Sequence, residues 1–210
     1  MLEKEQKVRK AVVILKDGSL FHGNAFGFSA KASGEIVFST GMVGYTESLT
    51  DPSYRGQILT MTYPLVGNYG VPKTPMSGLP DCFESDGIKV SGLVVHSLCQ
   101  KPSHWASTRT LNDWLTDEGI PGIYGIDTRA LTKKLREKGV MLGLLKTCEP
   151  GEEPDLDQLS AEAKRIQDPN ERDLVQEVTR ALLPHELRSR RFSSKRQLSH
   201  RKSILLLHVP

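Results

Sequence analysis

The chain alternates between short apolar runs and polar punctuation, and the periods of those runs predict its elements. Ala11–Lys16 is apolar and rich in β-branched residues, Lys16-Asp17-Gly18-Ser19 interrupts it, and Leu20–Gly23 resumes. Asp-Gly between two such runs predicts a β-hairpin. Gly34–Ser39, Gln57–Thr62 and Ile88–Val95 read as further strands. The pattern then changes period. Leu111, Trp114, Leu115 and Glu118 fall on one face at 3/4 spacing, which predicts a helix over Ser107–Gly119 with Gly119 ending it. Pro121–Ile126 is a short strand, and Asp127 is placed to N-cap a helix running to Lys138 with Leu131 and Leu135 stacked at i, i+4. Lys133, Lys134, Arg136 and Lys138 complement that helix's carbonyl end, Gly139 stops it, and Met141–Lys146 is the last strand. Strands first and a βαβ-like alternation afterwards predict a mixed α/β fold around one sheet system.

One stretch does not fit a simple period. Thr40–Tyr54, continuing through Gly70, is dense in Gly, Tyr and Thr. Tyr45, Tyr54, Tyr63 and Tyr69 each offer an apolar body with a polar tip. Asp51-Pro52 starts a turn: the carboxylate can accept backbone N–H bonds two residues on, and Pro pre-sets φ. The turn predicts a rigid loop between buried strands with the Ser53 hydroxyl at its tip, the kind of place where binding residues sit. For Ser53 the residues alone favour a turn hydroxyl bonded to its own backbone. The Gly/Pro-rich loop from Pro64 to Pro80 is long enough for a compact domain to imply function or mobility.

Composition bounds the rest. Of 210 residues, 38% are hydrophobic and 25% charged, which suits one core and a soluble chain. No apolar run approaches the about 20 residues of a membrane span. The N-terminus MLEKEQKVRK has no apolar segment of a secretory signal. Cys82, Cys99 and Cys148 are odd in number and far apart, so a disulfide framework is not expected and a reducing, cytoplasmic setting is. The net charge of +3 is unevenly spread: residues 180–210 carry eight Lys/Arg against Glu186, whereas residues 1–179 hold 20 Lys/Arg against 24 Asp/Glu. The basic tail, with Arg188, Arg190, Arg191, Lys195 and Arg196, admits a nucleic-acid or anion-binding reading, but it lacks interleaved aromatics, and a solvated tail is the commoner outcome.

Candidate chemistry is sparse. His96, Cys99 and His104 form a His-x2-Cys-x4-His cluster that would need a fourth ligand or an open position to hold zinc, and loop or core roles are commoner for such residues. A Cys–His dyad from the same residues competes with an inert buried Cys. Asp127 beside Arg129 invites an acid–base reading, against which the helix cap is stronger. There is no Gly-x-x-x-x-Gly-Lys-Ser/Thr phosphate loop.

The run TGMVGYTESLTDPSYRGQILTMTYPLVGNYG, then His104-Trp105, Gly125-Ile126-Asp127-Thr128-Arg129-Ala130-Leu131-Thr132-Lys133-Lys134-Leu135-Arg136 and Gly139–Gly143, resembles the N-terminal domain of the small, glutamine amidotransferase subunit of carbamoyl-phosphate synthetase. The form fused into eukaryotic pyrimidine-pathway enzymes is the nearest match, and the resemblance covers about Ala11 to Thr179. It implies a three-layer β/β/α swivelling domain over 11–148 and a linker with closing helices at 149–179; the extension at 1–10 and the basic tail at 180–210 lie beyond the resemblance and are read from composition alone. It implies that the complete enzyme makes carbamoyl phosphate from glutamine, bicarbonate and ATP, with ATP and magnesium held by a synthetase part absent here. The family's glutaminase half uses Cys on a Gly-x-Cys-x-Gly elbow with a His. Asp81-Cys82-Phe83, Leu98-Cys99-Gln100 and Thr147-Cys148-Glu149 do not match that elbow, so the chain is expected to be inactive alone, ending before the glutaminase domain. The expected partners are that domain and the synthetase large subunit. The resemblance places Ser53 against glutamine bound in the glutaminase half, and Tyr45, Tyr54, Tyr63, Asn68 and Tyr69 are the candidate docking face. The rival readings are a binding module working through its basic tail and a truncated product without activity. The apolar run Ile204–Val209 fits either the first strand of a following domain or an aberrant tail.

Overall fold

Residues 9–73, 82–139 and 141–166 are described by a computed structural model. The later part of the closing segment expected at 149–179, from residue 167 on, and the basic tail lie outside the described residues. The chain forms β1 (Lys10–Leu15), β2 (Leu20–Gly27), β3 (Lys31–Ser39), α1 (Tyr45–Thr50) and β4 (Ile58–Met61). The short strands β5 (Leu65–Val66) and β6 (Val71–Pro72) precede β7 (Gly92–Val94), β8 (Ser97–Leu98) and β9 (Ser107–Arg109). Then come α2 (Leu111–Asp117), β10 (Pro121–Tyr124), α3 (Thr128–Lys138), β11 (Met141–Thr147) and α4 (Leu156–Lys164).

Seven strands close into a barrel in the order β1-β11-β3-β4-β7-β10-β2. Four neighbours, β3, β4, β7 and β10, run parallel, while β1, β2 and β11 join them by antiparallel pairings. The alternation of β1 accounts for its unbroken apolar sequence. Val13 and Leu15 point into a cluster that draws residues from all seven barrel strands and is completed by Leu131 and Leu135 of α3. Val12 and Ile14 face the other way, under Leu159 and Ala163 of α4. A strand covered on both faces reads as continuous hydrophobic sequence. A third cluster, with Trp114, Leu111 and Leu115 of α2 and Tyr45 and Leu49 of α1, packs over β4 and β7.

The mixed α/β expectation holds, and the closed barrel was not anticipated. The Asp17-Gly18 hairpin forms as expected: Gly18 sits at φ 89°, and the Ser19 amide donates to Asp17 Oδ1 at 2.9 Å. Three elements differ. The helix expected from Ser107 begins only after Thr110, whose hydroxyl accepts from the Asp113 amide, because Ser107–Arg109 is drawn into a ladder with Val71–Pro72. The strand expected over Ile88–Val95 pairs only at Gly92–Val94, since Lys89 instead donates its amide to Leu49 of α1. The loop expected over Thr40–Tyr54 contains the short helix α1.

Asp17 also ties the hairpin to α3 through a 2.9 Å ion pair with Lys134. Partial burial raises its pKa, but the Lys134 ammonium and the Ser19 amide and hydroxyl together outweigh that, and the carboxyl is held at about 2. A depressed carboxylate contributes stability above its unfolded value near 3.8 and loses it as pH falls through about 2. Both side chains are 31% exposed, so solvent screening leaves about 1 kcal/mol. Asp17→Asn keeps the turn and removes the charge. Urea unfolding should therefore show it about 1 kcal/mol less stable at pH 7, with the gap closing between pH 4 and pH 2. A gap that persists at pH 2 would contradict the assignment.

Candidate functional site

The Ser53 tip is built as the sequence suggests. Asp51 Oδ1 accepts the Ser53 amide at 2.8 Å, Pro52 opens a 3-10 turn over Pro52–Tyr54, and Gly56 at φ 79° returns the chain to β4. The turn is closed by the Asp51 carboxylate and by the Tyr54, Arg55 and Gln57 amides. Ser53 is exposed, and its hydroxyl makes no hydrogen bond with any of the described residues. The commoner reading of a hydroxyl spent on its own backbone is therefore not what the structure shows; that job falls to Asp51.

The tyrosines divide. Tyr45 is 4% exposed and stacks on Tyr69 with ring centroids 4.1 Å apart and planes 18° apart. Its hydroxyl donates to the Gly70 carbonyl at 2.5 Å. The Tyr69 hydroxyl accepts the Gly44 and Tyr45 amides at 2.9 and 3.0 Å, so it caps the start of α1 from outside the helix. Burial pushes both phenols above their ordinary range, so both remain protonated donors at neutral pH. Tyr54 packs half-buried against the cluster of α1 and α2, Tyr63 is half-buried, and Asn68 is exposed.

What lies outside this stack was not legible as a surface. His104 meets Tyr69 edge-on at 6.4 Å and lies 5.5 Å from the Trp105 ring. Trp105 is 91% exposed, and Met42 and Val43, just before the capped start of α1, are 69% and 75% exposed. Met42 and Val43 precede the helix start that Tyr69 caps, and Trp105 adjoins the His104 ring that meets Tyr69, so these exposed apolar side chains flank the Tyr45–Tyr69 stack as an apolar ledge.

The His96, Cys99, His104 cluster does not assemble. His96 donates from Nδ1 to the Ile126 carbonyl at 2.9 Å, whereas His104 Nδ1 accepts the Ala106 amide. Among the described residues, no three His, Cys, Asp or Glu side chains come together as metal ligands. Asp127 is the helix cap: Oδ1 accepts the Ala130 amide at 2.9 Å. Cys148 is buried, and burial raises its thiol pKa, which suppresses the thiolate.

A cleft of about 510 Å³ opens beyond the carboxyl ends of the four parallel strands. Thr40 follows β3, Thr62 follows β4, His96 follows β7, and Asp127 follows β10. One wall is the face of α3 that carries Arg129, Lys133 and Arg136. Sequence reading assigned Lys133 and Arg136 to the carbonyl end of the helix. Their shared i, i+4, i+7 spacing with Arg129 was the signal for a common face.

This is an α/β domain built on a closed seven-stranded barrel, with exposed polar groups on loop tips and beyond strand ends. Residues 13–145 match the family model for the carbamoyl-phosphate synthase small chain, CPSase domain, and the chain belongs to that family. It is 52% identical over 160 residues to the carbamoyl phosphate synthase small chain of Pyrococcus furiosus, covering 75% of this chain and 42% of that one. It is 50% identical over 171 residues to the multifunctional protein CAD of Squalus acanthias, covering 80% of this chain and 7% of that one. It is 43% identical over 176 residues to the mitochondrial carbamoyl-phosphate synthase [ammonia] of Rattus norvegicus, covering 82% of this chain and 11% of that one. The chain thus spans less than half the length of each of these relatives. Among the described residues, no helix is long and apolar enough to cross a membrane.

Proposed function

We propose that the chain is the non-catalytic N-terminal part of a glutamine-dependent carbamoyl-phosphate synthase, with its three-layer β/β/α swivelling domain at 11–148. The complete assembly would convert glutamine, bicarbonate and ATP to carbamoyl phosphate for pyrimidine or arginine synthesis, in the cytoplasm. Its glutaminase domain and synthetase large subunit are the partners, and ATP with magnesium belongs to the synthetase. Helices α1 and α2, packed together on one side of the sheet, support the layered form.

The observation that carries the reading is the Ser53 hydroxyl: exposed, held by a rigid turn, and unspent within the described residues. A neutral hydroxyl can donate to a carboxylate or accept from an ammonium without desolvating a charge, which suits one side of an amino-acid pocket. The same domain also occurs in a relative named for ammonia. That occurrence favours an architectural role over a part in the chemistry, since the domain accompanies more than one nitrogen donor. The apolar ledge of Met42, Val43 and Trp105, which flanks the Tyr45–Tyr69 stack, is the docking face toward the partners. Aromatic anchors concentrate at the centres of such faces.

The test supplies the glutaminase domain in trans. The chain alone should take up no glutamine at millimolar concentration by calorimetry. With the domain added, Ser53→Ala should weaken glutamine binding about tenfold, the worth of one lost hydrogen bond of about 1.4 kcal/mol, and leave the melting temperature unchanged. Unchanged affinity in that variant would remove Ser53 from the pocket.

A further inference from the structure

The cleft lies at the opposite end of the strands from the Ser53 tip. Because β3 and β4 are parallel, the connection between them must cross from the carboxyl end of one to the amino end of the other. Ser53 sits at the end of that crossing, just before β4, whereas the cleft opens past the opposite ends of the strands. We infer that this cleft is a binding site for a small phosphate-bearing anion.

The charge balance comes first. Arg129, Lys133 and Arg136 line one wall, and none of them forms an ion pair among the described residues. Their neighbour Lys134 is different: it turns away and is neutralised by Asp17. The one carboxylate in the lining is Asp127, and one of its oxygens is committed to the Ala130 amide. The cleft therefore holds three cations against one partly spent anion. Three unpaired cations side by side repel one another, and a polyvalent anion relieves that repulsion.

The donor types fit the same ligand. Two guanidinium groups offer planar forks that match phosphate oxygens two at a time, and an ammonium adds a point charge between them in sequence. Thr40 and Thr62 add hydroxyls to the lining, whereas the Thr132 hydroxyl donates to the Thr128 carbonyl at 2.7 Å. His96 spends Nδ1 on the Ile126 carbonyl, which fixes the ring and leaves Nε2 as its remaining polar group. Placement and size agree as well. Ligands of parallel α/β sheets bind beyond the carboxyl ends of the strands, and about 510 Å³ is within the usual range for a small-molecule site.

The experiment follows backbone amide signals of the full chain during titration with inorganic pyrophosphate, against sodium chloride at matched ionic strength. The expected result is saturable shifts centred on His96 and Ile126–Thr132, with Arg129→Gln/Arg136→Gln weakening binding at least tenfold and Lys164→Gln leaving it unchanged. The dispersion of each variant's spectrum reports that it is folded. Shifts equal to those from chloride, or a double variant that binds as well as the parent, would overturn the site. Saturation by a glutamate-rich peptide but not by pyrophosphate would overturn the phosphate assignment and make the cleft a contact for an acidic protein segment.

Discussion

Trp114→Ala should destabilise the fold by about 4 kcal/mol, a fall in melting temperature of roughly 8–16 °C for a domain of this size. Trp114 is fully buried at the centre of the cluster that joins α2 to α1 and the sheet. Its ring stacks on Phe83 at 5.0 Å and 12°, and the Arg109 guanidinium lies over it at 5.6 Å. Truncation removes the largest buried side chain and strands both neighbours around a void. Trp114→Phe separates this cause from a hydrogen-bonding one. The indole N–H finds no acceptor among the described residues, so Phe gives up no hydrogen bond and keeps an aromatic face for Phe83. That variant should lose less than about 2 kcal/mol. Equal losses in the two variants, measured by chemical denaturation, would contradict the packing account.

Gly70→Ala should cost about 3 kcal/mol and act selectively on the ledge. Gly70 has φ 64°, and a Cβ there would lie 1.9 Å from Ser107 Oγ and 2.7 Å from Ser107 Cβ. The backbone conformation alone disfavours a side chain by about 1–2 kcal/mol, and the clash adds the rest. Its carbonyl receives the Tyr45 hydroxyl, Tyr45 stacks on Tyr69, and Tyr69 caps α1. Displacing residue 70 therefore loosens the whole support, and the near-ultraviolet signal of the tyrosines should fall with it. Adding Ser107→Gly removes the colliding side chain and should recover roughly half of the stability, leaving the φ cost. No recovery in the double variant would show that the clash with Ser107 is not the cause.

The local devices of this fold were legible, because each is closed within a few residues. Asp17, Asp51 and Asp127 each accept a backbone N–H two or three residues on, as their positions in the sequence suggest. What the sequence hid was carried by distant partners. Helix α1 has no side-chain cap of its own; Tyr69, 25 residues past Gly44, supplies it. Barrel closure rests on pairings such as Ala11 with Thr147, which no local pattern announces. Ser107–Arg109 became a strand because Val71–Pro72 lay beside it. The cleft was invisible for the same reason, since its walls come from the ends of four strands and one helix. For the Ser53 tip, the turn was readable from Asp51-Pro52, but the freedom of the hydroxyl was not.

Release of ammonia from glutamine by the purified 210-residue chain tests the central claim most directly. The Ser53 tip is taken to be one side of a pocket whose reacting Cys and His belong to another domain, so the chain alone should give no turnover above a blank. Adding the glutaminase domain should bring turnover that responds to Ser53→Ala. Steady ammonia release by the unaided chain would contradict the account.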